Sequence, residues 1–243
     1  MVWMTVFHFC FDLGYLGYWA QDFRADPLWT GQRTAIVSLF LFCAGLGQAL
    51  AVQQGQGWAR FGRRWGQIAA GALLVSIGSW WLFPRSFIYF GVLHGMAVML
   101  LLVRSTASTA GGTARGGRWL WLAGAAALLL PWGAQWALSG PLAEWAVYFN
   151  ARGLNWLGLV SRKPFTEDYV PVLPWLGVLW WGLAAGQWLL SRQSQSHWLQ
   201  GSLPALWQPL ATLGRWSLSY YLLHQPVLLG ALLALGWMLG RAP

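Results

Sequence analysis

Arg33-Thr34-Ala35-Ile36-Val37-Ser38-Leu39-Phe40-Leu41-Phe42-Cys43-Ala44-Gly45-Leu46-Gly47-Gln48-Ala49-Leu50-Ala51-Val52 carries one charge, at its first position. A helix crossing the hydrocarbon core of a bilayer needs about 20 mostly apolar residues, and this run supplies them. Working outward, further runs qualify on the same ground: Met1–Ala20, Gly66–Leu82, Phe87–Val103, Trp119–Leu138, Val170–Leu190 and Trp216–Leu239. The expected fold is all-α, a polytopic transmembrane helix bundle of about seven spans forming one integral-membrane domain over residues 1–243. Gly140–Asp168, with Trp145 and Trp156, is too polar to span and too aromatic for a loose linker; it reads as an interfacial helix and loop. Ser105–Gly117, rich in Ser, Thr and Gly, reads as a flexible linker. No internal repeat supports an inverted-repeat transporter.

Composition agrees with a lipid-compatible chain. It is 57% hydrophobic and 9% charged, with 21 Trp, where a soluble domain carries about 25% charged residues. The net charge of +9 does not point to nucleic acid, because the cations stand singly between apolar runs rather than on one face. In a membrane chain that pattern reports topology and contact with anionic headgroups. Trp80–Trp81, Trp119–Trp121 and Trp180–Trp181 read as interfacial belts near span ends. Cys10 and Cys43 fall inside spans and read as small buried apolar residues; no spacing resembles a metal cluster or a disulfide framework. The first residues lack the basic region and the cleavage site of a signal peptide.

The loops set an expected orientation. With the amino end cytoplasmic, Arg60, Arg63, Arg64, Arg104, Arg115, Arg118, Arg192 and Arg215 lie inside without an acid among them. Arg24, Arg33, Arg85, Arg152, Arg162, Lys163 and Arg241 then lie outside, with Asp22, Asp26, Glu144, Glu167 and Asp168. Cations lead inside by one, and long outer loops weigh less, so the amino end is placed in the cytoplasm.

The ionisable residues within spans carry the functional reading, since taking such groups into hydrocarbon is costly. His8 and Asp12 stand i, i+4 on one helix face. A carboxylate beside an imidazole fixes its tautomer and raises its basicity, which suits a general base; the competing reading is a polar pair that cements packing. His94, next to Gly95, either lines a cavity or hydrogen-bonds across helices. His224 precedes Pro226 at a short remove, which points to a broken helix lining a site, with interhelical bonding as the alternative. His197 falls in a polar loop and reads as solvated. The run Arg162-Lys163-Pro164-Phe165-Thr166-Glu167-Asp168-Tyr169 at the mouth of the sixth span either binds a polar substrate or is a solvated loop. Arg60, Arg63 and Arg64 either hold phosphates or simply mark the cytoplasmic side. No GxxxxGK[ST], GxSxG or HExxH pattern is present, so nucleotide hydrolysis, hydrolase and zinc-protease chemistry have no support, and no metal site is expected.

Several segments together resemble a known family. Val2-Trp3-Met4-Thr5-Val6-Phe7-His8-Phe9-Cys10-Phe11-Asp12 and Leu39-Phe40-Leu41-Phe42-Cys43-Ala44-Gly45 resemble the opening of bacterial membrane acyltransferases related to the heparan-alpha-glucosaminide N-acetyltransferase catalytic domain. Ile88-Tyr89-Phe90-Gly91-Val92-Leu93-His94 is similar to that family's fourth-span motif. Asp168-Tyr169-Val170-Pro171-Val172-Leu173-Pro174-Trp175-Leu176-Gly177 and Leu218-Ser219-Tyr220-Tyr221-Leu222-Leu223-His224-Gln225-Pro226 are similar to its late motifs. The Arg/Asp-containing segment ending in Arg-Gly that members usually carry ahead of the residues matching Val2 does not precede them here, and a longer native amino terminus is the matching expectation. The animal enzyme's active histidine lies in the stretch matching Asp26-Pro27-Leu28-Trp29-Thr30-Gly31, which has none; His8 is the nearest replacement.

The resemblance implies acyl transfer across a bacterial inner membrane by a multi-pass protein. Acetyl-CoA is the donor, taken from the cytoplasm, and the acceptor is an amine or hydroxyl of an extracytoplasmic glycan. His8 and Asp12 are the implied catalytic pair, with His94 and His224 lining the acyl tunnel. Asp26, Lys163 and Asp168 are the implied acceptor contacts, and Arg60, Arg63 and Arg64 those of the cofactor. The partners are then acyl-CoA, the acceptor and the lipid bilayer, with a homodimer allowed and nucleic acid excluded. A proton-coupled transporter or flippase of a lipid-linked sugar or small solute, using the same histidines as a relay, is the alternative. A structural membrane subunit is the third reading.

Overall fold

A computed structural model describes residues 1–23, 25–109, 117–192 and 205–240. Arg24, Arg115, His197 and Arg241 lie outside the described residues. The chain is all-helical: no strand occurs among the described residues, and one parallel bridge joins Phe90 to Tyr169. In chain order the helices are α1 (Val2–Tyr15), α2 (Pro27–Gln53), α3 (Trp58–Leu82), α4 (Val92–Thr109), α5 (Arg118–Leu138), α6 (Ala146–Phe149), α7 (Val172–Ser191), α8 (Gln208–Arg215) and α9 (Ser217–Met238). Of these, α2 and α9 are long and apolar enough by length and composition to cross a membrane.

The helix bounds differ from the expected spans where the backbone has a local reason to turn. α1 ends at Tyr15, not Ala20, because Gly17 takes a left-handed φ of 76° and Tyr18 and Trp19 fold their amides back onto the Leu13 carbonyl. Fourteen helical residues cover about 21 Å, short of a hydrocarbon core of about 30 Å. α4 starts at Val92 because Phe90 is occupied in the bridge to Tyr169, and it continues through Ser105–Thr109, so this part of the expected linker is helix, while 110–116 lie outside the described residues. α3 starts at Trp58, so Arg60, Arg63 and Arg64 stand in its first turns rather than in a loop. α9 runs without interruption through Pro226, against the expected break. Gly140–Asp168 forms short helical turns around α6 followed by a loop.

The chain divides into two compact units. The first comprises Met1–Val37 and Gly201–Pro243. Here α1 packs against α9. Its core is aromatic: Phe7, Phe23 and Trp29 are buried together, with the Phe23 and Trp29 rings 4.3 Å apart and Phe11 and Ile36 packed around them.

The second unit is Ser38–Gln200. α5 and α7 form its most extensive pairing, and α4 packs on α3 and α7. Gly124 and Gly177 meet where α5 crosses α7: a Cβ on Gly177 would run into the Gly124 carbonyl, and one on Gly124 into the Trp181 ring. Small residues at the crossing let the two backbones touch, the arrangement that associates helices where dispersion must replace the hydrophobic effect. Trp181 donates from Nε1 to the Trp121 carbonyl (3.0 Å), and Trp119 lies against Trp180, so Trp180–Trp181 belongs to this packing at mid-helix rather than to a span end. Cys43, expected to be buried, is exposed on α2, while Cys10 is half-buried.

Candidate active site on α1 and α9

The periodicity of α1 puts His8 and Asp12 one turn apart on a single face, and α9 lies along that face with His224 and Gln225. Two polar rungs result. In the first, the rings of His8 and His224 meet edge to face with centroids 5.0 Å apart. In the second, Gln225 donates from Nε2 to Asp12 Oδ1 at 2.6 Å. The expected bond between Asp12 and His8 is not made: the carboxylate takes the Gln225 amide instead, and His8 Nδ1 is buried without a hydrogen-bond partner among the described residues. Asp12 Oδ2, Gln225 Oε1 and His224 Nε2 are buried in the same condition.

His224 is the more fixed of the two imidazoles. Its Nδ1 lies 2.7 Å from the Tyr221 carbonyl. The Tyr220 ring stacks nearly parallel on it, 3° between planes, and the Tyr220 hydroxyl bonds to Thr5 Oγ1 on α1. The sequence reading singled out three of the four polar groups in these rungs and missed Gln225. Its place beside His224, in an apolar helix, was the available signal.

His94 belongs to the second unit and is fully engaged. Gly91 donates its amide to Nδ1 (3.3 Å), which therefore accepts, leaving Nε2–H to donate to Ser76 Oγ (2.9 Å). Ser76 in turn donates to the Ile88 carbonyl (2.7 Å). Nε2 thus joins α4 to α3, which is the interhelical alternative, while Nδ1 holds the Gly91 amide at the start of its own helix; Ser76 is a partner that the sequence reading does not name.

The run 162–169 is strapped to residues 86–92 rather than loosely solvated. Glu167 donates its amide to the Ser86 carbonyl (2.9 Å) and accepts from Ser86 Oγ through Oε1 (2.6 Å); Thr166 Oγ1 donates to the Phe87 carbonyl (2.8 Å). Asp168 Oδ2 accepts the Val92 amide at 2.7 Å, capping α4 from a distant part of the chain. Gly91 makes room for this, since a Cβ there would overlap the Asp168 carboxylate. Next to the strap, Asn155, 1% exposed, donates to the Tyr89 hydroxyl (2.8 Å), and Tyr169 donates its hydroxyl to the Asn155 carbonyl (2.6 Å). Arg152 lies 5.4 and 5.5 Å over the rings of Phe87 and Tyr89. Burial, with the Tyr89 phenol nearby, pushes the Tyr169 hydroxyl above its ordinary pKa, so it stays a donor.

Of the remaining expected contacts, Asp26 belongs to the first unit, and Lys163, Arg60, Arg63 and Arg64 to the second. Asp26 stands at the start of α2, where Oδ1 accepts the Leu28 amide (2.7 Å) ahead of Pro27, the pattern of a helix cap. Lys163 is exposed on the strap. Arg60, Arg63 and Arg64 are exposed in the first turns of α3. Near them Arg104 is buried, donating to the Gln56 carbonyl with its guanidinium against Trp58 and Phe61.

The model of the heparan-alpha-glucosaminide N-acetyltransferase catalytic domain matches residues 1–226. The chain belongs to this family. No curated protein and no solved structure matches it. The family match takes in both rungs, the His94 join and the Asp168 strap, so the polar groups described above all fall within the heparan-alpha-glucosaminide N-acetyltransferase catalytic domain.

Proposed function

We propose that the protein is a transmembrane acetyltransferase that passes the acetyl group of cytoplasmic acetyl-CoA to an amine or hydroxyl of an extracytoplasmic sugar. The observation that carries this reading is the family match over residues 1–226. In this reading the chain crosses the bacterial inner membrane about seven times with its amino end inside, and α2 and α9 have the length and apolarity for two of those crossings.

A thioester is already activated, so the protein has to bring the acceptor to it and remove one proton. No covalent enzyme intermediate is required. The imidazoles of His8 and His224 are the groups at hand for the proton, held between helices where water competes little. Asp12 acts one step back by anchoring Gln225, the neighbour of His224. Arg60, Arg63 and Arg64 stand at the positive end of α3, and cations added there reinforce a place suited to the phosphates of the coenzyme. Lys163, Asp168 and Asp26 are the acceptor contacts of this reading; Asp168 and Asp26 also hold helix ends, each through a carboxylate oxygen that accepts a backbone amide.

The test is thermal unfolding of the detergent-purified protein with acetyl-CoA, free CoA or ATP. A ligand that binds the folded state alone raises the apparent Tm by mass action. A rise with both coenzyme A ligands and none with ATP is expected. No rise in folded protein overturns the reading.

A further inference from the structure

We propose that His224, rather than His8, takes the proton from the acceptor, through Nε2. The inference rests on the acetyltransferase reading and assigns its base. A carbonyl oxygen can only accept, so the 2.7 Å contact with the Tyr221 carbonyl puts a proton on His224 Nδ1. A neutral ring with its proton there carries its lone pair on Nε2, and Nε2 is buried with no partner among the described residues. His224 is itself 8% exposed. A base works when its tautomer and direction are set in advance. Three contacts set them here: the Tyr221 carbonyl, the parallel ring of Tyr220, and the edge-to-face ring of His8.

His8 lacks that preparation. Among the described residues no hydrogen bond to its Nδ1 selects a tautomer, and the nearby carboxylate of Asp12 is bonded to Gln225. His94, the third histidine in an apolar helix, has the opposite arrangement, with Nδ1 accepting and Nε2–H spent on Ser76. Among these, His224 presents a directed, unspent basic nitrogen.

The step balances without a further reactant. As the acceptor oxygen or nitrogen bonds to the acetyl carbon, its proton passes to His224 Nε2. The carbon–sulfur bond then breaks, the electron pair leaves with sulfur, and the proton on Nε2 passes to the thiolate. The products are the acetylated acceptor and free CoA, with the imidazole back in its starting form.

The experiment compares wild type, His224→Asn, His224→Gln and His8→Asn in detergent, using acetyl-CoA as donor and glucosamine as probe acceptor. Free CoA release is measured together with the Tm rise given by acetyl-CoA. The Asn amide keeps a donor where Nδ1–H stood but removes the Nε2 lone pair. His224→Asn is expected to keep the Tm rise and the KM for acetyl-CoA while kcat falls at least about 100-fold, the typical scale of general-base loss. His224→Gln is expected to lose comparably, whereas His8→Asn loses at least about tenfold less. In ¹⁵N-histidine-labelled wild type, the Nδ1–H tautomer is expected at His224. An equal or larger loss in His8→Asn, retained turnover in His224→Asn, or an Nε2–H tautomer at His224 each overturns the assignment. A wild type that releases no CoA with this probe leaves the tautomer to decide. A folded wild type with no acetyl-CoA Tm rise removes the acetyltransferase reading itself, a result distinct from a misassigned base.

Discussion

Gln225 of α9 reaches Asp12 of α1 at 2.6 Å, and Asp12 is 2% exposed. The bond joins segments 213 residues apart in sequence, and it leaves His8 without the carboxylate partner that their spacing implies. Gln225→Leu removes the donor and strands a buried acid. Leaving a buried polar group unsatisfied costs about 1–3 kcal/mol, so a lowered Tm is expected. Asp12→Asn, which keeps an acceptor for the amide, should cost less. A double-mutant cycle in thermal unfolding checks the coupling, and additive effects would show that the bond contributes nothing.

Ser76 and His94 form a hydrogen-bonded join between α3 and α4. Ser76→Ala leaves the His94 Nε2–H without its acceptor and is expected to destabilise the protein by about 1–2 kcal/mol. Acetyl-CoA binding per folded molecule should be unchanged, as read from the size of the ligand-induced Tm rise. A Tm equal to wild type would remove the join as a stabilising feature.

Asp168 and Gly91 act together at the start of α4. Asp168→Ala removes a cap, which costs about 0.5–2 kcal/mol. Gly91→Ala pushes the same carboxylate away from the Val92 amide, so it should lower Tm in the same direction. The two changes combined should be less than additive, since each removes one bond. Full additivity in the unfolding of the double variant would show that they act separately.

Tyr169 gives a pH dependence whose sign is fixed by its burial. Its folded-state pKa lies above the unfolded value, which for tyrosine is about 10. Its stabilising contribution is therefore complete below about pH 10 and lost as pH rises toward the folded value, because the unfolded chain ionises first. Thermal unfolding between neutral pH and pH 11 should show a steeper alkaline loss in wild type than in Tyr169→Phe. Parallel curves would exclude the group.

Arg60, Arg63 and Arg64 are exposed on the first turns of α3, and the cofactor role assigned to them predicts a salt-sensitive ligand effect. Replacing all three by Gln is expected to shrink the acetyl-CoA Tm rise while changing the unliganded stability by no more than about 0.5 kcal/mol per substitution, as surface changes do. Raising the ionic strength should mimic the substitution, through screening of exposed charges. An undiminished rise in the triple variant would move the coenzyme site elsewhere.

The sequence by itself determined the helical class, the apolar character and the family. Runs such as Arg33–Val52 are long and apolar without reference to any neighbour, and motif order survives in the chain whatever its folding. It also determined that His8 and Asp12 share a face, because the helical period is local. What it could not determine was which partner each polar group takes. Asp12 bonds to Gln225 rather than His8, His94 reaches across to Ser76 on α3 through Nε2, and Asp168 caps a helix that begins 76 residues before it. Hydrogen bonds act over about 3 Å and demand direction, so their pairing across distant segments is decided only when helices pack. The difference between His8 and His224 is of that kind. Two histidines look alike in the chain, and the contacts made by Tyr221 and Tyr220 give one of them a fixed ring with a directed lone pair.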